Sequence, residues 1–450
     1  MKYAVITFGC RVNQADSLGF EEELQAAGAS PAPPASADLV IVNSCSVTAT
    51  ADQGVRQMVR RVARDNPAAR IIVTGCYATR SPEDVRALPN VVQVVPNDDK
   101  PKAIPLILRQ AQNERDPLAL SVLSTASRFG EGDGACGAAV GPGVAGRTAF
   151  TLRVQTGCAE PCSYCIIPTT RGAPRSVPTA DVLREVTRVA AAGFREIALT
   201  GVHLGSYGRD LSPRVSLIDL LRALTVDSAL RTEHPALSTQ HPALSTQHPA
   251  LLFRISSLEP MDCTRDIVDL VAASDCFAPH FHLPLQHASD RVLETMRRPY
   301  TLECYASLVD GIRSRIPHAS IGSDVIVGFP GETDADFDLL ASYLERSPLT
   351  HVHVFPYSDR PGTAATSMPG KVPGPVIRER GRRIREIGQR LTSAFLESQV
   401  GTTHRALTLE DGAVAVTGNY LKVRIPPGRT RNEWVRLRIA SHRDGELLAG

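Results

Sequence analysis

The run CAEPCSYC places Cys158, Cys162 and Cys165 three and then two residues apart, in a stretch punctuated by Gly157, Pro161 and Pro168. Such a loop can aim three thiolates at one small object. A cubane iron–sulfur cluster normally takes four cysteines. Three would leave one iron open to a group that is not protein, which implies chemistry rather than electron storage. Zinc is the rival, but a structural zinc site takes four ligands, usually as two pairs. No fourth Cys or His lies close to them in sequence, so an open zinc with three sulfurs remains an alternative. Disulfides would leave one thiol over and need an oxidising compartment. Chance grouping of small buried residues is the last reading.

A second set of thiols lies in the first hundred residues. Cys10, Cys45 and Cys76 follow the expected strands Tyr3–Thr7, Leu39–Val42 and Arg70–Thr74 by two or three residues. Helical patterns cover 21–27 and 52–64, and Ser81-Pro82-Glu83 opens a short third helix. This alternation predicts a small parallel sheet, whose strand carboxyl ends gather ligands. Three distant thiols would then meet at one crevice and hold a second cluster. Gly9 and Gly75 would permit close backbone approach. Three buried small residues near strand ends are the alternative.

The elements that must position Cys158–Cys165 come next. Strands are expected at 149–154, 196–200, 252–256, 280–283, 320–327 and 351–355, with helices between them, including 179–192, 217–224 and 333–346. Six β/α units predict a partial barrel with active residues at strand carboxyl ends. The cysteine loop follows the first of these strands.

Residues 1–110 thus form one expected domain and 148–375 a second, joined by a linker at 111–147. That linker contains a Gly- and Ala-rich run and Cys136, taken as a spectator. Residues 234–251 spell HPALSTQHPALSTQHPAL, a seven-residue repeat. Its prolines forbid a continuous helix, so it reads as a surface insert. Its histidines at 234, 241 and 248 could bind metal adventitiously. An Arg-rich connecting helix is expected over 376–400, with its amphipathic pattern clearest at 379–400. Residues 401–450 read as a small antiparallel β-barrel with strands at 405–409, 413–417, 421–425 and 434–439. Tyr420, Lys422, Arg424, Arg431 and Arg436 are its candidate nucleic-acid contacts.

Bulk numbers agree with an enzyme of several domains. The 450 residues carry a net charge of only +2, with 43% hydrophobic and 21% charged residues. The charge is uneven: residues 371–450 hold 15 Lys and Arg against 8 Asp and Glu, a net +7, and the rest is about −5. A basic terminal segment suits a polyanion. The start MKYAVITFGC has no signal-peptide pattern and no 18-residue apolar run follows, so a cytoplasmic protein without a membrane partner is expected. Ten cysteines in a reducing compartment point to metal or redox work. Cys263, Cys276 and Cys304 lack ligand spacing and are taken as structural.

CxxxCxxC with an aromatic residue, Tyr164, before its last cysteine resembles the signature of the radical S-adenosylmethionine superfamily. The whole chain resembles the methylthiotransferases within it. The matching segments run in order: TFGCRVNQADS, VNSCSVTATAD, VTGCYA, CAEPCSYCIIPTTRGAPRS, IALTGVHLGSYG, RISSLEP, HFHLPLQHASDRVLETMRRPYT, SDVIVGFPGET and HVFPYSDRPGTAA. The resemblance covers nearly every segment in order except the Gly-rich linker and the repeat insert. The terminal barrel resembles the family's tRNA-binding TRAM domain. GCRVNQ and TGVHLGSYG look most like the branch that modifies threonylcarbamoyladenosine in tRNA. Two other branches modify isopentenyladenosine in tRNA and an aspartate of a small-subunit ribosomal protein.

The resemblance implies a transferase of the sulfur-transferring class that methylthiolates C2 of N6-threonylcarbamoyladenosine at tRNA position 37, next to the anticodon. Cys158, Cys162 and Cys165 would hold a [4Fe–4S] cluster that binds S-adenosylmethionine and cleaves it to a 5′-deoxyadenosyl radical. Cys10, Cys45 and Cys76 would hold a second [4Fe–4S] cluster as sulfur carrier. Cofactor contacts are expected from Tyr164, Gly201, His203, Ser257, Glu259, Gln286 and Gly328, and no side chain is expected to act as acid or base. Arg171, Arg175, Lys422, Arg424 and Arg431 are the expected substrate contacts. An electron donor of flavodoxin or ferredoxin type and a sulfur source are implied partners. A redox carrier or sensor is the competing class; it favours fully ligated clusters and no basic terminal barrel.

Overall fold

The computed structural model describes residues 1–102, 104–105, 141–143, 147–226 and 251–450. Cys136, most of the expected linker and the repeat histidines lie outside the described residues.

The first unit is a parallel sheet of β1 (Lys2–Thr7), β2 (Ser30–Pro31), β3 (Leu39–Ser44), β4 (Arg70–Gly75) and β5 (Val91–Val95), in the order β2-β1-β3-β4-β5. Every residue of β3 is buried, because helices cover both faces. Leu39 and Ile41 point to one side with Phe20 and Leu24. Val40 and Val42 point to the other, against Val55, Val59 and Val62 of the helix Ala49–Asp65. The helix expected over 21–27 is longer, Arg11–Ala26, with Cys10 at its N-cap. Its first half buries Asn13, Asp16 and Ser17, so hydrogen bonds replace the apolar stripe by which periodicity is read.

The core is a partial barrel of parallel strands: β6 (Phe150–Arg153), β9 (Glu196–Thr200) and β10 (Leu252–Ile255), then β11 (His280–His282), β12 (Ser320–Val327) and β13 (His351–Pro356). A parallel bridge from Phe253 to Phe277 joins the two halves. A small antiparallel pair, β7 (Gln155–Thr156) and β8 (Arg175–Ser176), brackets the cysteine loop. The helices Thr179–Ala191, Leu217–Val226, Arg265–Ala273, Leu302–Arg315 and Asp334–Arg346 bury their apolar faces against these strands. Thr333 and Asp336 close a capping box on the last of them. The helix expected over 379–400 is Gly374–Ser398 and packs along β13.

The terminal unit is a closed barrel of β14 (Thr403–Leu409), β15 (Val414–Thr417), β16 (Lys422–Arg424), β17 (Trp434–Arg443) and β18 (Glu446–Ala449). It corrects the antiparallel expectation at one seam: β16 and β18 pair in parallel. The unexpected fifth strand, β18, returns from β17 through Asp444-Gly445, both at positive φ, and then closes the sheet on β16. Closure leaves no open edge. Arg254 docks the barrel: fully buried, it pairs with Glu196 at 2.9 Å, donates to the carbonyl of Gly418 at 2.8 Å and stacks on Tyr420 at 4.6 Å.

Candidate functional site

Cys10, Cys45 and Cys76 converge where β1, β3 and β4 end. Cys45 lies close enough to both Cys10 and Cys76 to feel them electrostatically, and none of the three is in a disulfide. The backbone leaves no room to spare. Gly9 has φ +92°, and a Cβ there would stand 2.7 Å from the Cys45 Sγ. Gly75 has φ +97°, and a Cβ there would fall 2.2 Å from the Ser44 carbonyl oxygen. Asn13 ties the loops together by donating to the carbonyls of Phe8 at 2.8 Å and Ser44 at 3.0 Å. Burial pushes the Cys45 thiol up to about 11. Burial would raise Cys76 too, but Arg171 and Lys100 outweigh it and bring its pKa down. The fixed cations beside Cys76 thus favour its thiolate, the form in which sulfur binds metal.

Those cations surround Asp16. Lys100, Arg153 and Arg171 reach its carboxylate at 2.6, 2.5 and 3.3 Å. Burial alone would raise its pKa; the three cations hold it far below the usual carboxylate range. Arg171 also bonds Asn13 and Cys76 and is only 3% exposed. This corrects the expectation of Arg171 as a substrate contact: its guanidinium is spent inside the protein, on the N-terminal thiol site. Arg175 is half-exposed and pairs with Asp98 at 3.0 Å.

The second thiol group sits on the loop after β7. Cys158, Cys162 and Cys165 influence one another, and burial pushes Cys165 up to about 12. Backbone N–H groups of Glu160 and Ile167 face Cys158 and Cys165 at 3.4 and 3.5 Å. Arg298 donates to the Cys162 sulfur at 3.3 Å and ion-pairs with Glu259. His203 hydrogen-bonds Asp262 at 2.8 Å and also reaches Cys158. Burial opposes its charge, yet these two partners raise it to about 10. It therefore stands as a donor to sulfur rather than a fourth ligand. Three convergent thiols with donors around them fit a cluster held by three cysteines.

A cavity of about 190 Å³ is lined by Cys165 of the second thiol group and by the segment that follows Cys45. Val47 and Thr48, just after Cys45, form one wall; Tyr164, Cys165, Gln286 and Asp324 form another. Tyr164 and Gln286 therefore meet at one place. Gln286 holds φ +64° and its N–H donates to the Asp324 carbonyl. Gly201, His203, Ser257, Glu259 and Gly328 sit at or just past strand carboxyl ends but do not line this cavity. Gly328 has φ +79° and donates its N–H to Glu332; Ser257 is exposed. A larger cleft, about 510 Å³, lies between core and terminal barrel, lined by Pro279, His318, Arg405 and Trp434. None of the six cysteines touches it.

Several positioning residues carry no sequence signal of their own. Gln155 is buried, donates to the Gly157 carbonyl at 2.8 Å and accepts from the His203 N–H at 2.9 Å. Arg360 reaches from the loop after β13 to Asp52 at 2.8 Å and to the Val47 carbonyl at 3.2 Å. On the terminal barrel, Lys422 is exposed, Arg424 pairs with Glu446 and Arg431 donates to the Glu410 carbonyl. Tyr420 packs against His280 and Arg254 and still leaves 46% of its surface exposed. No helix among the described residues is long and apolar enough to cross a membrane.

Residues 2–96 match the model of "Uncharacterized protein family UPF0004", and residues 152–344 match the radical SAM superfamily. The threonylcarbamoyladenosine tRNA methylthiotransferase of Aquifex aeolicus is 32% identical over 94% of this chain and 96% of its own length. Its Bacillus subtilis namesake is 33% identical over 93% and 88%. The tRNA-2-methylthio-N(6)-dimethylallyladenosine synthase of Acidothermus cellulolyticus is 31% identical over 99% and 84%. Among solved structures, a radical S-adenosylmethionine methyltransferase from Kitasatospora setae superposes with TM-score 0.53, covering 81% of this chain and 77% of that one. At 15% identity it speaks for the fold alone. Two thiol triads on two matched domains, in an order shared with relatives of nearly the same length, make this chain an enzyme of the radical S-adenosylmethionine methylthiotransferase family.

Proposed function

We propose that this enzyme methylthiolates C2 of N6-threonylcarbamoyladenosine at position 37 of tRNA. The observation that carries the proposal is the cavity walled on one side by the segment after Cys45 and on the other by Cys165. An acceptor lodged there touches Cys165 and the Val47-Thr48 segment that follows Cys45. Relatives named for threonylcarbamoyladenosine, matching along almost the whole chain, support that nucleoside. The dimethylallyladenosine relative, at 31% over 99% of the chain, supports the second reading, isopentenyl-type adenosine in tRNA.

In this proposal Cys158, Cys162 and Cys165 hold one [4Fe–4S] cluster and Cys10, Cys45 and Cys76 hold the other. When bound, the first supplies the electron that cleaves S-adenosylmethionine and the second supplies the sulfur. The chain's own residues bind and orient. Arg298 fixes Cys162 and Glu259 together, so the carboxylate stands ready for an amino or ribose group of the cofactor. Tyr164 and Gln286 face the cavity and close it against water. Gly201, His203, Ser257 and Gly328 frame the strand ends beside it. Arg175, Lys422 and Arg424, which are exposed, and the half-buried Arg431 offer cations to the tRNA backbone.

Anaerobic reconstitution tests the assignment. Cys158→Ala should lose S-adenosylmethionine cleavage and about half the iron. Cys45→Ala should keep cleavage and lose methylthio transfer. Cleavage surviving in Cys158→Ala would overturn the proposal. Mass spectrometry of tRNA nucleosides from a deletion strain separates the two adenosine readings. Binding of tRNA should weaken steeply with salt, as phosphate neutralisation requires.

A further inference from the structure

Three histidines that the methylthio-transfer reading does not use stand together inside the core barrel. The registers place them: His282 on β11 lies beside Gly322 on β12, which lies beside His351 on β13. One step along, Asp324 lies beside His353. Period-two alternation puts all five on one face of the sheet. The ring centroids of His282, His351 and His353 are 5.6 to 6.1 Å apart, a nearly equilateral triangle. One ligand nitrogen from each lies within 4.8 Å of the others.

We propose that His282, His351 and His353 form a divalent transition-metal site of the zinc class, with Asp324 orienting His282. Tetrahedral coordination at the usual metal–nitrogen length sets ligand nitrogens about 3.3 Å apart. Side-chain rotation closes the remaining gap. The outer partners are in place. Asp324 Oδ1 is 3.0 Å from His282 Nε2, the carboxylate–imidazole pairing that aims the other ring nitrogen at a metal. Thr350 Oγ1 donates to the Ile321 carbonyl and lies 3.0 Å from His351 Nδ1, so it accepts from that nitrogen. This leaves Nε2 of His351 with its lone pair. That nitrogen lies over bare backbone: a Cβ on Gly322 would come within 2.0 Å of it.

Imidazole ligands suit zinc, nickel, cobalt or copper over magnesium or calcium. Three histidines leave a fourth position open. Asp324, which contacts His282, also lines the cavity beside Cys165 and Gln286. A metal here would sit below that cavity, open to an oxygen ligand within it. This site does not depend on which nucleoside the enzyme modifies.

The test uses the cluster-reconstituted holoenzyme, equilibrated anaerobically with Co²⁺ or with Zn²⁺. Metal analysis should find about one equivalent beyond iron, and Co²⁺ should show weak d–d absorption without thiolate charge transfer. His353→Gln, at an exposed position, should weaken binding at least about 10-fold, and Asp324→Asn about 10- to 100-fold. Iron content of each variant reports that the fold is kept. Replacing His234, His241 and His248 by Ala should leave the affinity unchanged. Undiminished binding in His353→Gln, loss of binding in the repeat variant, or thiolate bands with Co²⁺ would each overturn the proposal.

Discussion

Arg171 lies 3.3 Å from Asp16, although one belongs to the helix that follows the Cys158–Cys165 loop and the other to the helix that follows Cys10. The two thiol sites are thus linked through a buried ion pair. Removing Asp16 takes from Arg171, Lys100 and Arg153 the buried carboxylate that they share. Asp16→Asn should therefore cost about 3–5 kcal/mol of stability, read from urea denaturation. An unchanged midpoint and slope would show that water takes the carboxylate's place.

The clasp on the other side should be measurable by itself. Arg360 and Asp52 are both nearly excluded from solvent and 2.8 Å apart. A double-mutant cycle on Arg360→Gln and Asp52→Asn should give a coupling of about 1–3 kcal/mol. Arg80 shares Asp52 at 2.7 Å, so Asp52→Asn should be the worse single change.

Gly9→Ala tests the tightness of the N-terminal thiol site. The added methyl meets Cys45, and φ +92° strains any side chain there. The expected outcome is loss of about half the iron with S-adenosylmethionine cleavage retained. Loss of both activities together would mean that the sites do not load independently.

Acid should loosen the core through His287. It is fully buried, and its Nδ1 accepts from the Ser289 N–H at 2.9 Å, which a proton would forbid. Burial is the main cause that pushes it down to about 4. Because the unfolded chain binds the proton more readily, its contribution is complete above about pH 6.5. It is lost progressively as pH falls from there towards 4. The difference amounts to roughly 3 kcal/mol. Denaturation at pH 7 and pH 5 should show a smaller pH effect in His287→Asn than in the parent.

The β/α order, the six core strands and the grouping of cysteines after strands were legible, because alternation and strand length write themselves into composition. What stayed hidden was polar and long-range. The first half of helix Arg11–Ala26 faces inward through Asn13, Asp16 and Ser17, so no apolar stripe announces it. Arg171 looks like a basic residue beside a loop; only the fold reveals the carboxylate waiting across the domain boundary. Strand β18 had a local signal, Asp444-Gly445, that four β runs overshadowed. The histidine triangle joins residues 282, 351 and 353, and only strand register brings them together.

The two ionic clasps have a consequence for how the enzyme must work. Asp16 and Asp52 fasten the N-terminal unit to the core at two separate points, so widening the gap between the sulfur nests means breaking two buried ion pairs. A guest that needed a wider opening would have to supply that free energy from its own contacts.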